Sequence, residues 1–195
     1  MVVVHANDPT TKFLSLLYEQ RQDVCAHITE TSTNGHILRT IRSDDTIMML
    51  GHGNEHGLFS KPDKNGEYTR FLITDRHVQF LREKTCIGIW CHADKFAEHY
   101  GLHGLFSGMI ISEVQEAADY NIPATEEGIY AEREKFALRL KFCIETYGLS
   151  ATPERIKELD DTKSPLTLFN FGNLHYYGSE ATKLNHTTKV LTLAE

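Results

Sequence analysis

The sequence predicts an α/β fold, a three-layer α/β/α sandwich with a mostly parallel central sheet of about six strands. Two observations lead to this prediction. Apolar runs of four to five residues, at 46–50 and 86–90, suit strands that are buried on both faces of a parallel sheet. These runs alternate along the chain with stretches of helical periodicity, which is the pattern expected when helices connect parallel strands.

The beginning of the chain contains two strand candidates and a helix start. Residues 2–4 are all valine and predict a strand, and residues 24–29 form a weaker candidate. Between them, Asp8 and Pro9 predict the start of a helix. The Asp8 side chain would cap the free amides, and Pro9 would take the first helical position.

Helical periodicity predicts helices at 36–43, 73–84 (begun by Thr74 or Asp75), 93–100 (ended by Gly101), 125–147 and 152–160. The turn signal Asn34-Gly35 before the first of these could also start a hairpin. We expect a helix there because the next run resembles a parallel strand. Residues 51–66 are rich in Gly, Asn, Lys and Pro and predict a surface loop. Residues 166–169 are a late strand candidate, and 174–177 are a further segment of the fold to which no element is assigned.

Length, charge and cysteine content limit the class of protein. The 195 residues fit a single domain over residues 1–195, and the net charge of −7 without a basic cluster argues against a nucleic-acid partner. No apolar run approaches the ~20 residues of a membrane span, and the amino terminus does not resemble a signal peptide. The four cysteines form no CxxC pair, which favours free thiols and a cytoplasmic protein: Cys25, Cys86, Cys91 and Cys143.

Reactive side chains follow the two central apolar runs. His52 comes directly after the run 46–50 and one glycine, and Cys91 comes directly after the run 86–90. In open parallel sheets, ligands bind outside the carboxyl ends of the strands. If the two runs form neighbouring strands, His52 and Cys91 converge on one site.

The residue types at these two positions suit nucleophilic catalysis. An imidazole can accept the proton of a thiol and stabilise the thiolate, so Cys91 would attack a carbonyl carbon and His52 would protonate the leaving amine. Gly53 lets the backbone approach a substrate closely. The amides of Gly53 and Cys91 are the candidate oxyanion hole, a donor pair whose loss typically costs ~10²–10³ in rate.

This arrangement resembles the caspase-like cysteine peptidases, which include caspases, metacaspases, legumain, gingipains, clostripain and separase. Leu50-Gly51-His52-Gly53 is similar to their histidine block, and the segment 89–93 is similar to the Cys-His-Ser segment of metacaspases. The resemblance implies a caspase-like sandwich and an endopeptidase that cleaves a protein or peptide substrate through a thioester, without a cofactor. It covers strand order over about residues 2–118, whereas only the His and Cys blocks match as motifs.

The same resemblance suggests where the substrate would bind. The segment 108–113, with Ser112 and Glu113, occupies the place of a strand that lines the specificity pocket in that family. Other candidate substrate contacts lie near the dyad: His56, His92 and Asp94. Ile89 stands where metacaspases carry the acidic residue that binds a basic side chain, so their substrate preference does not transfer.

Two other interpretations stay open. His52 and His56, and likewise His99 and His103, are four residues apart and could form a metal site with Cys91, His92 and Asp94. A non-catalytic signalling or interaction module could also be built on the same fold. The sequence leaves both a homo-oligomer and a partner subunit open.

Overall fold

The computed structural model describes residues 1–178, whose strands form one sheet of six and a second sheet of three. In chain order the strands are β1 (Val2–His5), β2 (Ala26–Ile28), β3 (Thr46–Leu50), β4 (Gly53–Asn54), β5 (Gly57–Phe59), β6 (Phe71–Ile73), β7 (Thr85–Ile89), β8 (His103–Ser107) and β9 (Leu174–Tyr177). The larger sheet has the order β2-β1-β3-β7-β8-β9. All neighbours in it are parallel except β9, which runs antiparallel to β8.

Helices cover both faces of this sheet. They are α1 (Asn34–Ile41), α2 (Val78–Leu81), α3 (Ala93–Tyr100), α4 (Val114–Asp119), α5 (Glu126–Tyr147), α6 (Thr152–Glu158) and α7 (Pro165–Gly172). Two 3-10 helices, Pro9–Leu17 and Asp75–His77, complete the set. Asp8 caps the first of these and accepts a hydrogen bond from the Thr10 amide at 3.0 Å, as the sequence predicts.

Two apolar cores lie on opposite faces of the sheet because alternate residues of each buried strand point to opposite sides. One core joins Val2, Ile47 and Met49 to α1, α2 and α3. The other joins Val3, Met48, Leu50 and Ile87 to the first 3-10 helix and to α5, α6 and α7. These two layers around a mostly parallel sheet confirm the predicted three-layer α/β/α sandwich.

The predicted surface loop at 51–66 is partly wrong. Residues 53–59 form the hairpin β4–β5, and β6 extends it to the second sheet. Leu58 points into the core and is fully buried. The loop composition reflects the tight turn between β4 and β5, where the Asn54 side chain accepts a hydrogen bond from the His56 amide at 2.9 Å.

Two other predicted elements need correction. Residues 166–169 lie in α7 rather than in a strand, because Ser164 caps the helix through the Thr167 amide and Pro165 takes its first position. Ile73 ends β6 rather than starting a helix. Thr74 caps the following 3-10 helix, as one of the two predicted starts, and this helix continues into α2.

The other predicted elements agree closely with the structure. Residues 34–41 are helical, so the helix is preferred to the hairpin there. The helix after Cys91 ends at Gly101, which is left-handed at φ 66°. Among residues 1–178, no helix has the length and apolar character needed to cross a membrane.

Candidate active site

The two reactive residues lie at the same height on adjacent strands. Leu50 of β3 pairs with Ile89 of β7, and the Gly51 amide continues this ladder with a 3.1 Å bond to the Ile89 carbonyl. His52 and Cys91 each follow these paired residues by two positions. They therefore meet at the carboxyl edge of the sheet, where the sequence predicts the site.

A short backbone turn brings Cys91 to this edge. β7 ends at Ile89, and α3 begins only a few residues later at Ala93. His92 between them is left-handed at φ 68°, a conformation that is uncommon outside glycine. The chain can therefore reverse from strand to helix directly after Cys91, which leaves this residue partly exposed at the tip of the turn.

Three polar side chains hold His52. Its Nε2 lies 2.7 Å from Thr10 Oγ1, and the Thr10 hydroxyl lies 2.8 Å from Asp8 Oδ1. Tyr68 donates to the other carboxylate oxygen of Asp8 at 2.9 Å, and its ring lies against the imidazole with 5.3 Å between centroids. One face and one nitrogen of His52 are thereby fixed.

Asp8 is ionised in this arrangement although it is only 5% exposed. Burial acts to raise the pKa of its carboxyl, but hydrogen bonds from Thr10 and Tyr68 outweigh burial and hold that pKa below its usual value. Burial, together with the bond to Asp8, raises the pKa of Tyr68. The phenol therefore stays protonated and remains a donor.

Cys91 has a less polar environment. Its thiol donates to the Ile110 carbonyl at 3.9 Å, and no hydrogen bond joins it to His52 in the described part of the chain. Burial, followed by the negative charge of Glu116, raises the pKa of Cys91 to about 12. In this conformation the sulfur is a thiol rather than a thiolate.

His52 and Cys91 share one small cavity of about 20 Å³. Ile110 and Ser112 from the segment after β8 also line it. This volume accommodates a water molecule but no side chain. A substrate would therefore lie across the mouth of the cavity rather than inside it.

Both predicted oxyanion donors keep their amides free of the neighbouring strand. The Phe59 amide donates to the His52 carbonyl at 2.8 Å, which makes Gly53 and Leu58 a non-hydrogen-bonded pair of the hairpin. The Gly53 amide therefore points away from β5. No carbonyl of residues 1–178 accepts a hydrogen bond from the Cys91 amide.

Gly53 is required here by packing. A Cβ atom at this position would overlap the ring of Trp90 and the carbonyl of Gly57. The Trp90 indole nitrogen also donates to the Asn54 carbonyl at 3.1 Å. The hairpin thus sits directly against the strand end that carries Cys91.

Side chains hold the segment after β8 against the cavity. Asn170 bonds both the amide and the carbonyl of Ile111, at 2.8 and 3.0 Å. Glu116 accepts from the amides of Ser112 and Glu113, at 2.7 and 2.9 Å, and Arg133 donates to the Ser112 carbonyl. Three helices thereby fix one wall of the site.

The remaining predicted contacts are dispersed around the site. His56 lies in the hairpin turn with its side chain 76% exposed. Asp94 faces β9, where its Oδ2 lies 3.8 Å from His175 Nε2. Glu113 lines an open pocket of about 340 Å³ together with Thr10, Tyr130 and Arg133. Of the predicted substrate contacts, only Ser112 lines the cavity shared by the dyad.

The residues proposed for a metal site do not come together. Within residues 1–178, no three His, Cys, Asp or Glu side chains are placed to share one ion. His99 lies on α3 and His103 begins β8, at the opposite edge of the sheet from Cys91. His52 uses its Nε2 on Thr10.

Sequence reasoning found His52 and Cys91 but missed the residues that surround them. Asp8 was recognised only as a helix cap, and Thr10 and Tyr68 were not singled out. Thr10 and His52 are 42 residues apart, so no local spacing links them. Their contact depends on β1 and β3 being neighbours, which places the start of the first 3-10 helix beside the end of β3.

The chain matches no protein-family model and no curated protein. The fold and the site alone therefore define the class: a three-layer α/β/α protein that presents a thiol and an anchored imidazole at the carboxyl edge of two adjacent parallel strands.

Proposed function

We propose that this chain is a caspase-like cysteine endopeptidase with a Cys91–His52 dyad, acting on a protein or peptide substrate. The observation that supports the proposal is the paired register of β3 and β7, after which both residues line one small cavity. A thiol and an imidazole so placed are the two groups that acyl transfer through a thioester needs.

The reaction proceeds in two halves. The Cys91 proton passes to His52 as sulfur attacks the scissile carbonyl carbon, and the amides of Gly53 and Cys91 receive the oxyanion. The imidazolium then protonates the leaving amine as the C–N bond breaks, which leaves a thioester on Cys91. Water, deprotonated by His52, hydrolyses the thioester and releases the acid with restoration of the thiol.

The open pocket beside Thr10 is where we place the substrate next to the scissile bond. It is lined by Glu113, Glu126, Tyr130 and Arg133 and has a volume of about 340 Å³, enough for a side chain. It adjoins the dyad through Thr10, which bonds His52. This placement agrees with the expectation that the 108–113 segment contacts substrate.

A second candidate function is a non-catalytic module, and one observation favours it. The raised pKa of Cys91, caused first by burial and then by Glu116, describes an inactive thiol. An active peptidase of this design has to lower that pKa when substrate excludes water and His52 reaches the sulfur. The two candidates therefore differ in the reactivity of Cys91.

The test compares Cys91→Ala and His52→Ala with the parent chain on fluorescein-labelled casein. Both variants should lose cleavage by at least about 10³-fold, because each removes a group that the reaction cannot replace. Cys25→Ala is the matched control, since it removes an exposed thiol far from the dyad. A Cys91→Ala protein as active as its parent would end the peptidase proposal.

A peptidyl chloromethyl ketone library separates the two candidates in the absence of a known substrate. The peptidase should be alkylated at Cys91 much faster than at Cys25, and His52→Ala should remove this preference. Equal, slow labelling of both cysteines in the parent would favour the non-catalytic module.

A further inference from the structure

Asp8 and Thr10 form a side-chain relay to His52 that the dyad chemistry does not itself require. Asp8 is nearly fully buried, lies one residue before the first 3-10 helix, and is linked by hydrogen bonds to a ring nitrogen of His52 through the Thr10 hydroxyl. A helix cap needs the bond to the Thr10 amide alone. Helix capping alone therefore does not explain the additional hydrogen bonds that the Asp8 carboxylate accepts from the Thr10 hydroxyl and from Tyr68.

We propose that Asp8 and Thr10 are positioning residues that hold His52 as the Nε2–H tautomer, with Nδ1 as the nitrogen that exchanges the Cys91 proton. This inference concerns the proposed peptidase site and rests on that function for its catalytic consequence. The tautomer itself follows from the hydrogen bonds and is testable without any activity.

The direction of the hydrogen bonds follows from counting protons. The Thr10 hydroxyl has one proton, and the ionised Asp8 carboxylate can only accept, so this proton lies on the 2.8 Å contact to Asp8. The Thr10 oxygen must then accept at its 2.7 Å contact with His52. Nε2 therefore carries the proton, and the lone pair of the neutral ring is on Nδ1.

Tyr68 strengthens the first bond of this relay. By donating to Oδ2 of Asp8, it leaves Oδ1 to accept the bond from the Thr10 hydroxyl. Its ring, which stacks on Phe59 with 5.1 Å between centroids, also packs against the imidazole. Rotation of His52 about its side-chain bonds would break both the packing and the bond to Thr10.

The relay would act on two steps of the proposed reaction. Before attack, it presents an unprotonated Nδ1 to the thiol, because the alternative tautomer would place a proton on that nitrogen. After proton transfer, the positive imidazolium keeps its Nε2–H bond to Thr10, and the nearby Asp8 charge stabilises it. An aspartate that orients a catalytic histidine directly has the same effect in serine peptidases.

The experiment uses the full chain with ¹⁵N-labelled histidine and reads the two ring-nitrogen shifts of His52 at pH 8. The parent should show the neutral Nε2–H tautomer. Thr10→Val, which keeps the shape but removes the hydroxyl, should give a mixture of tautomers, and Thr10→Ser should restore the parent pattern. A parent His52 with its proton on Nδ1, or a Thr10→Val variant with unchanged shifts, would overturn the proposal.

Casein cleavage supplies the catalytic readout with the same variants. Thr10→Val should lower kcat by up to about 10²-fold with little change in KM, as misplaced catalytic groups do. Thr10→Ser should stay close to the parent, and Tyr68→Phe should lie between them. Ser15→Ala is the control on the same helix, because its hydroxyl bonds Glu19 and not the site. Equal kcat values for Thr10→Val and Ser15→Ala would contradict the catalytic role.

The two readouts separate the two proposals. If Cys91→Ala cleaves casein as well as its parent, the peptidase fails while the nitrogen shifts still decide the tautomer. If the peptidase holds and the shifts of Thr10→Val match those of the parent, only the relay fails.

Discussion

Glu116 is the charged side chain that most opposes ionisation of Cys91. Burial makes the largest contribution to the raised pKa of this thiol, and the Glu116 carboxylate adds the next. The same carboxylate holds the amides of Ser112 and Glu113. Glu116 thus helps to hold the wall of the cavity and also opposes ionisation of the Cys91 thiol.

Replacing Glu116 by glutamine should make Cys91 more reactive. The amide oxygen can still accept from Ser112 and Glu113, but the negative charge is gone, so the pKa of Cys91 should fall by about half a unit to one unit. Alkylation by iodoacetamide at pH 8 should then accelerate about three- to tenfold. Both proteins carry Cys25→Ser to leave one accessible thiol, and Glu126→Gln serves as the charge control. An unchanged rate in Glu116→Gln would show that burial alone suppresses the thiolate.

The sequence singles out His52 and Cys91 because they follow strands, and strands are visible as apolar runs. In the structure both residues follow adjacent parallel strands and line one cavity. The sequence predicts Asp8 only as a helix cap and gives no role to Thr10 or Tyr68, because their contacts with His52 depend on which strands become neighbours. A threonine or tyrosine in a polar stretch carries no local mark of such a contact.

At the scale of elements, the β4–β5 hairpin is attached to the sheet through Trp90. This side chain is 1% exposed, packs against Phe96 and donates to the Asn54 carbonyl. Gly53 allows the hairpin to approach the indole closely. Trp90 therefore helps to fix the position of the proposed oxyanion donor.

Trp90→Phe should loosen the hairpin more than it loosens the rest of the fold. The variant keeps an apolar ring but loses the indole bond and some volume, at a cost of about 2 kcal/mol in the free energy of unfolding. Urea unfolding followed by far-UV circular dichroism measures this cost. Hydrogen exchange of the Phe59 amide, which bonds the His52 carbonyl, should accelerate beyond the global change.

Phe96→Leu is the control for Trp90→Phe. It shortens a buried ring in the same core without removing a hydrogen bond to the hairpin. If both variants accelerate exchange of the Phe59 amide equally at equal stability, Trp90 acts only as an apolar core residue and has no special role in holding the hairpin.

The elements that were wrongly predicted share a physical cause. Residues 166–169 are apolar and β-compatible, yet Ser164 and Pro165 start a helix whose apolar residues reach the core by helical spacing. Residues 51–66 look like a loop because their four glycines and many polar residues outnumber the core-facing Leu58. Short elements depend on caps and partners more than on composition.

At the scale of the whole molecule, stability depends on a buried histidine, His5, at the end of β1. His5 is 3% exposed, and its two ring nitrogens contact the Tyr18 and Thr11 hydroxyls at 3.1 and 3.2 Å. Burial, and to a smaller extent His27, lowers the pKa of His5 to about 4. The folded state therefore resists protonation that the unfolded chain accepts.

This shift predicts acid sensitivity of global stability. An unfolded histidine titrates near 6.5, so the unfolded state binds more protons between about pH 4 and 6.5. Stability is intact above pH 6.5 and declines as the pH falls toward 4, by about 3 kcal/mol in total for a shift of this size. His5→Gln should flatten this decline in urea unfolding measured from pH 4 to 7.5.

Two other histidines, His77 and His56, serve as comparisons for the His5→Gln variant. His77 is also buried with a lowered pKa, so His5→Gln should reduce the pH slope without abolishing it. His56 is exposed, so His56→Gln serves as the control for replacing a histidine that is not buried. An unaltered slope in His5→Gln would contradict the assignment.

Trp90 is the only tryptophan of the chain, and it adjoins Cys91 in sequence and the hairpin in space. Tryptophan fluorescence, excited at wavelengths where tyrosine absorbs little, therefore originates at one place beside the proposed site. Binding of a peptide at the proposed site, or movement of the β4–β5 hairpin away from Trp90, changes the polarity around this indole. Trp90 fluorescence can therefore follow binding at the proposed site without an added dye.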